Sequence, residues 1–119
     1  MRELPNIVRI AKIGSFAAEV DNAFRRVRNG ISALRWKTDR AELVTQIDLL
    51  YNLMNLSDVA VNLPTFPLSV LGLANAIKRN EDVSTIEKLS LKAQEDLDRA
   101  HLETLSALAR EIRRILEDN

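Results

Sequence analysis

The sequence has no cysteine, which excludes disulfides, thiolate metal sites and thiol nucleophiles and leaves the redox compartment undetermined. Glycine and proline are scarce at three each, and the three glycines stand far apart, so no phosphate-cradling loop can form. A single histidine cannot supply two ExxH motifs for a dimetal site or a zinc site of the common type, and no GxSxG element accompanies it. Glu95, Asp96 and Asp98 could hold a divalent ion only loosely, because a helix surface offers few convergent oxygens, so a solvated face is expected. No enzyme activity, metal or cofactor is expected.

Net charge is also absent, with 17 basic and 17 acidic residues, which argues against a generally polyanion-binding protein and leaves only a local patch for that role. Long apolar runs are missing too. Arg9 and Lys12 interrupt the start of the chain, so no signal peptide is expected and a cytoplasmic location is. Val59 to Ile77 carries no charge, but Asn62, Pro64, Thr65 and Pro67 break it, so no membrane span is expected.

What remains is a chain of 119 residues, 46% hydrophobic and 29% charged, long enough to bury a core as a single domain over residues 1–119. After Pro5, which suits a first helical turn, Ile10, Ile13, Ala17, Val20, Phe24, Val27, Ile31 and Leu34 recur at steps of three and four. This predicts a first helix from Pro5 to Trp36, about 45 to 50 Å long, with Gly14 and Gly30 as places for a bend. Asp39, with Glu42 three residues on, starts a second helix that runs to Asn62 ahead of the prolines. Pro67 opens a third, reaching Arg79. Ser84 and Glu87, with Val83 just outside, read as the capping box of a fourth helix to Glu117. That helix aligns Ile86, Leu89, Ala93, Leu97, Ala100, Thr104, Leu108, Ile112 and Ile115 on one face. The expected fold is an all-α, antiparallel four-helix bundle with two long helices, the first and fourth, and two shorter ones in the middle.

Between Leu43 and Ile77 only Asp48 and Asp58 are charged. Helices this apolar must be covered on several sides, either by the long helices or by a second copy. Self-association is the leading expectation, with Leu49, Tyr51, Leu53, Leu56, Leu68 and Leu71 as its candidate contacts. Ser69, Gly72 and Ala76 form a small-residue strip that allows close helix contact.

The opposite character appears in RRVRNGISALRWKTDR, which holds six basic residues and one acidic one. Arg25, Arg26, Arg28, Arg35, Lys37 and Arg40, with Trp36 among them, are the candidate contacts for a protein partner or for phosphates. The competing reading pairs them with acids of the fourth helix, whose first half would lie alongside in an antiparallel bundle. Arg25 also has Asp21 one turn earlier. In the same way Arg110, Arg113 and Arg114 would lie near Glu3, Glu19 or Asp21.

The lone histidine, His101, invites comparison with histidine phosphotransfer domains. The HxLKG setting of those domains is missing, because Leu102, Glu103, Thr104 and Leu105 follow His101 and supply neither the Lys nor the Gly. His101 reads as a partly buried residue bonded to Asp98 one turn earlier. The functional expectation is a non-catalytic, self-associating scaffold or adaptor for another macromolecule. A nucleic-acid-binding accessory protein is the alternative, and phosphotransfer through His101 a remote third.

Overall fold

The structure is a computed structural model that describes residues 3–34 and 39–118. These residues form four helices and no strand: α1 (Glu3–Ser32), α2 (Arg40–Asn55), α3 (Leu68–Lys78) and α4 (Val83–Glu117). The rod they make measures 59 × 20 × 19 Å. α1 and α4, of 30 and 35 residues, span its length, and the 16-residue α2 and 11-residue α3 flank them.

Side-chain contacts fix the directions. Arg9, Asp21 and Arg28 of α1 meet Glu111, His101 and Asp98 of α4 in falling order, so the long pair is antiparallel. Lys78 of α3 reaches Asp48 of α2, and Ser69 at the other end of α3 reaches Asp96 of α4. α2 runs back along α1, since Gly30 lies against Leu43 near the start of α2 and Lys12 meets Asp58 beyond its end.

The predicted stripes form the core. Ile13, Val20, Phe24 and Val27 of α1 are fully buried, and so are Ile47, Leu50, Val70, Leu73 and Ala93 from the other three helices. Phe16, which lies off the α1 stripe, is buried as well. α1 is continuous through both glycines. A Cβ at Gly30 would lie 2.8 Å from Leu43 Cδ1, so any larger residue there requires the end of that side chain to shift.

Several boundaries differ from expectation. α1 ends at Ser32 rather than Trp36, and Arg35, Trp36 and Lys37 lie outside the described residues. The α2 start is as predicted, because the Asp39 carboxylate accepts hydrogen bonds from the backbone N–H groups of Ala41 and Glu42. Its end is not. α2 stops at Asn55, whose side-chain amide donates back to Tyr51 O, and just beyond it Ser57 Oγ accepts from the Val59 N–H. Ala60 then takes a left-handed turn at φ 56°. Residues 56–62, predicted to continue the helix, are instead irregular chain, and the connection to α3 buries Val59 and Phe66.

The α4 cap lies two residues before the expected one. Asp82 is the N-cap, accepting from the Thr85 N–H at 2.9 Å, and Val83 is already helical. α3 closes in a Schellman arrangement around Asn80 at φ 57°: the Asn80 N–H bonds Ile77 O and the Glu81 N–H bonds Ala76 O. The same turn that ends α3 thus delivers Asp82 to start α4. No helix among the described residues is long and apolar enough to cross a membrane.

Candidate interaction surfaces

The basic stretch is split by the fold. Arg25 Nε donates to Asp21 Oδ2 at 3.1 Å along its own helix, and Arg28 faces Asp98 of α4 at 3.8 Å. Arg26 is exposed and has no ion pair among the described residues. Arg40, at the start of α2, lines an open groove of about 620 Å³ whose floor is Ile31, Leu34 and Ile86. The described part of the stretch therefore presents one unpartnered exposed arginine, two already facing carboxylates and a fourth beside a groove of mixed polar and apolar lining. Both facing pairs are solvent-accessible, where such contacts contribute little to stability.

The corresponding acids at the other end of the rod pair differently from expectation. Arg114 binds Glu111 and Asp118 on its own helix, and Glu111 also takes Arg9 of α1 at 2.9 Å. Glu111 is held below the usual carboxylate range chiefly by the Arg114 hydrogen bond; burial opposes this, and the charges of Arg114 and Arg9 add smaller contributions in the same downward direction.

His101 does not bond Asp98. Its Nε2 lies 2.7 Å from Asp21 Oδ1 on the facing helix, and its ring stacks on Phe24 with centroids 4.7 Å apart and planes 10° from parallel. The antiparallel packing brings Asp21 level with His101, whereas Asp98 sits one turn away opposite Arg28. Asp21 is depressed below its ordinary pKa chiefly by the hydrogen bond from His101 and next by that from Arg25. With one nitrogen bonded, one face covered and only 16% of the side chain exposed, the imidazole is a poor phosphoryl acceptor. Sequence periodicity could not pair residues 80 positions apart.

The candidate self-association residues divide into three environments. At about 100° per residue, Leu49, Leu53 and Leu56 fall on one strip of α2. Leu49 and Leu56 are exposed, at 53% and 79%, while Leu53 is half-buried against the core. Tyr51 lies roughly 160° around the helix from Leu49 and turns its ring edge-on to Phe66, which precedes α3. Leu68 stands 78% exposed at the start of α3, and Leu71 packs partly against the core. Asp48, on the same flank as Tyr51, marks the α2–α3 seam through Lys78 at 4.0 Å, so the Leu49 strip is turned away from α3.

Other exposed apolar residues fall outside that candidate set. Ile7 and Val8 on α1, and Val83, Leu91, Leu102 and Leu116 on α4, are each more than half exposed. Val8 borders a second open groove of about 490 Å³, with Arg9, Lys12, Val59 and Ala60 around it. The available signal was that Leu91, Leu102 and Leu116 stand off the buried stripe of α4.

Among the described residues, no group of three or more His, Cys, Asp or Glu side chains is placed to hold a metal ion. No protein-family model, curated protein or solved structure matches this chain.

Proposed function

We propose that the protein is a non-catalytic, self-associating helical scaffold or adaptor that binds another macromolecule. The observation that carries this reading is the distribution of exposed leucine. Leu56, Leu68, Leu91 and Leu102, on or beside three different helices, are each at least 70% exposed. Burying such a side chain against a partner would be worth about 1.5–3 kcal/mol. A scaffold needs at least two separate faces, and the Leu49–Leu56 strip of α2 and the outer side of α4 lie on different parts of the rod.

The phosphate-surface reading has less support, because Arg25 and Arg28 already face Asp21 and Asp98. Arg26 is its best remaining contact. Light scattering from low to high micromolar chain concentration tests the leading reading. A mass at least twice that of the chain is expected, and a constant single-chain mass would overturn it. Fluorescence anisotropy with single-stranded and duplex RNA and DNA tests the alternative. Salt-sensitive binding lost in Arg26→Glu would favour it over the scaffold.

A further inference from the structure

Residues 56–67 join α2 to α3 without helix or strand. From 57 to 66, Ser57 Oγ accepts from the Val59 N–H at 3.3 Å, and Asp58 Oδ2 accepts from Lys12 Nζ of α1 at 3.3 Å. The other backbone groups of these ten residues have no hydrogen-bond partner among the described residues. What seats the segment is apolar. Val59 and Phe66 are buried, Val61 and Leu63 lie half-buried against the core, and the Phe66 ring meets Tyr51 of α2 edge-on.

Three further features work against a permanent seat. Ala60, an exposed residue, has φ 56°, a left-handed geometry that a residue with a Cβ disfavours. The Lys12–Asp58 ion pair, the charged tie to α1, has side chains 59% and 81% exposed, where water and salt weaken it. The segment also stops short of closing on α1. An open groove of about 490 Å³ is lined by Val8, Lys12 and Ile13 from α1 and by Asp58, Val59 and Ala60 from the segment.

We infer that residues 56–67 form a strap that lifts from α1 while the four helices stay folded, with Lys12–Asp58 as its latch. Local opening costs what it must break. Lifting the strap at Val59 breaks no helical hydrogen bond and forfeits chiefly the burial of Val59 and its half-buried neighbours. Exposing Val20 or Val70, both fully buried, requires helices to part. The helices keep ties of their own, since α3 reaches α2 through Lys78–Asp48 and α4 through Ser69–Asp96. The open form widens the groove and bares Ile13, which is fully buried in the closed one. Segments that open at low cost are those from which lids and binding loops are drawn.

The native chain has no cysteine, so a single introduced thiol reports its own exposure. The test is the rate at which Ellman's reagent labels Val59→Cys, compared with Val20→Cys and Val70→Cys, which make the same change at fully buried helical sites. Circular dichroism checks that each variant is folded. Val59→Cys is expected to react at least about 100-fold faster than the two helix variants. Its rate should be nearly flat in dilute urea, because opening exposes little surface. Adding Lys12→Met should speed labelling of Val59→Cys by up to about fivefold and leave the helix variants unchanged. Phe66→Cys, at the strap's other anchor, is a second probe held to the same outcomes. Strap labelling as slow as in the helix variants, and rising as steeply with urea, overturns the proposal, because the segment then opens only with the whole fold. Fast strap labelling that Lys12→Met leaves unchanged overturns Lys12–Asp58 as the latch.

Discussion

His101 Nε2 lies 2.7 Å from Asp21 Oδ1, which joins α4 to α1 across 80 residues of sequence, and Phe24 stacks beneath the imidazole one turn along from Asp21. Three side chains thereby set the register of the two long helices.

This contact gives a pH dependence of defined sign. The folded-state pKa of Asp21 is lowered from the ordinary 3.8, so its contribution is complete above that value and is lost as pH falls through the folded pKa. Asp82, Asp96 and Glu111 are lowered as well and act in the same direction. Stability measured by urea unfolding should fall with acidification below about pH 4. Asp21→Asn should lower stability at neutral pH and flatten that acid slope. An unchanged slope would show that the bond does not form in solution.

Thr104 is fully buried, and its Oγ1 has no hydrogen-bond partner. Replacing a buried, unpaired hydroxyl by a methyl of similar shape removes a desolvation cost, so Thr104→Val should stabilise the fold by about 1 kcal/mol. Thermal unfolding monitored at the helical signal would show the gain as a higher midpoint. A loss of stability would mean that the hydroxyl is satisfied in solution.

Gly14 and Gly30 should respond in opposite ways to alanine. At Gly14 the new methyl meets open space, so in dilute solution Gly14→Ala should add up to about 1 kcal/mol through helix propensity. At Gly30 the methyl would lie 2.8 Å from Leu43 Cδ1, and Leu43 is 2% exposed with little room to move. Overpacking of about 1–3 kcal/mol should cancel or exceed the propensity gain at Gly30. Parallel urea titrations of the two variants test the contrast.

Ala60 adopts φ 56°, a left-handed geometry that costs a residue with a Cβ roughly 1–2 kcal/mol. Ala60→Gly removes that cost but gives the unfolded chain more freedom, so a net gain of about 0.5 kcal/mol is expected. A clear loss in a denaturant titration would place the Ala60 methyl in a contact worth more than the strain.

The long helices were legible because each carries a sustained apolar period, and that period survives in the burial of Ile13, Val20, Phe24, Ala93, Leu97 and Leu108. Asp39 was legible because a short acidic side chain ahead of an apolar run satisfies free N–H groups locally. The end of α2 was not, because the mainly apolar stretch after Asn55 fits helix and partly buried irregular chain equally well by composition. Beyond Asn55, Ser57 accepts from the Val59 N–H and Asp58 is taken up by Lys12 of α1. At α4, two capping residues stand two positions apart, and the α3 turn at Asn80 brings Asp82 rather than Ser84 to the helix start.

By itself the sequence determined that the chain is helical, where the apolar faces run and that thiol chemistry is excluded, because these follow from residue type and short-range spacing. Only the tertiary structure decided that Arg28 faces Asp98, that His101 reaches Asp21 rather than Asp98, and that Tyr51 meets Phe66. It also decided that Gly30 is filled by Leu43 while Gly14 stays open. The reason is the same in each case. Periodicity specifies which side of one helix is apolar, but the partner of a side chain depends on the rotation and register of two helices against each other, and packing alone sets those.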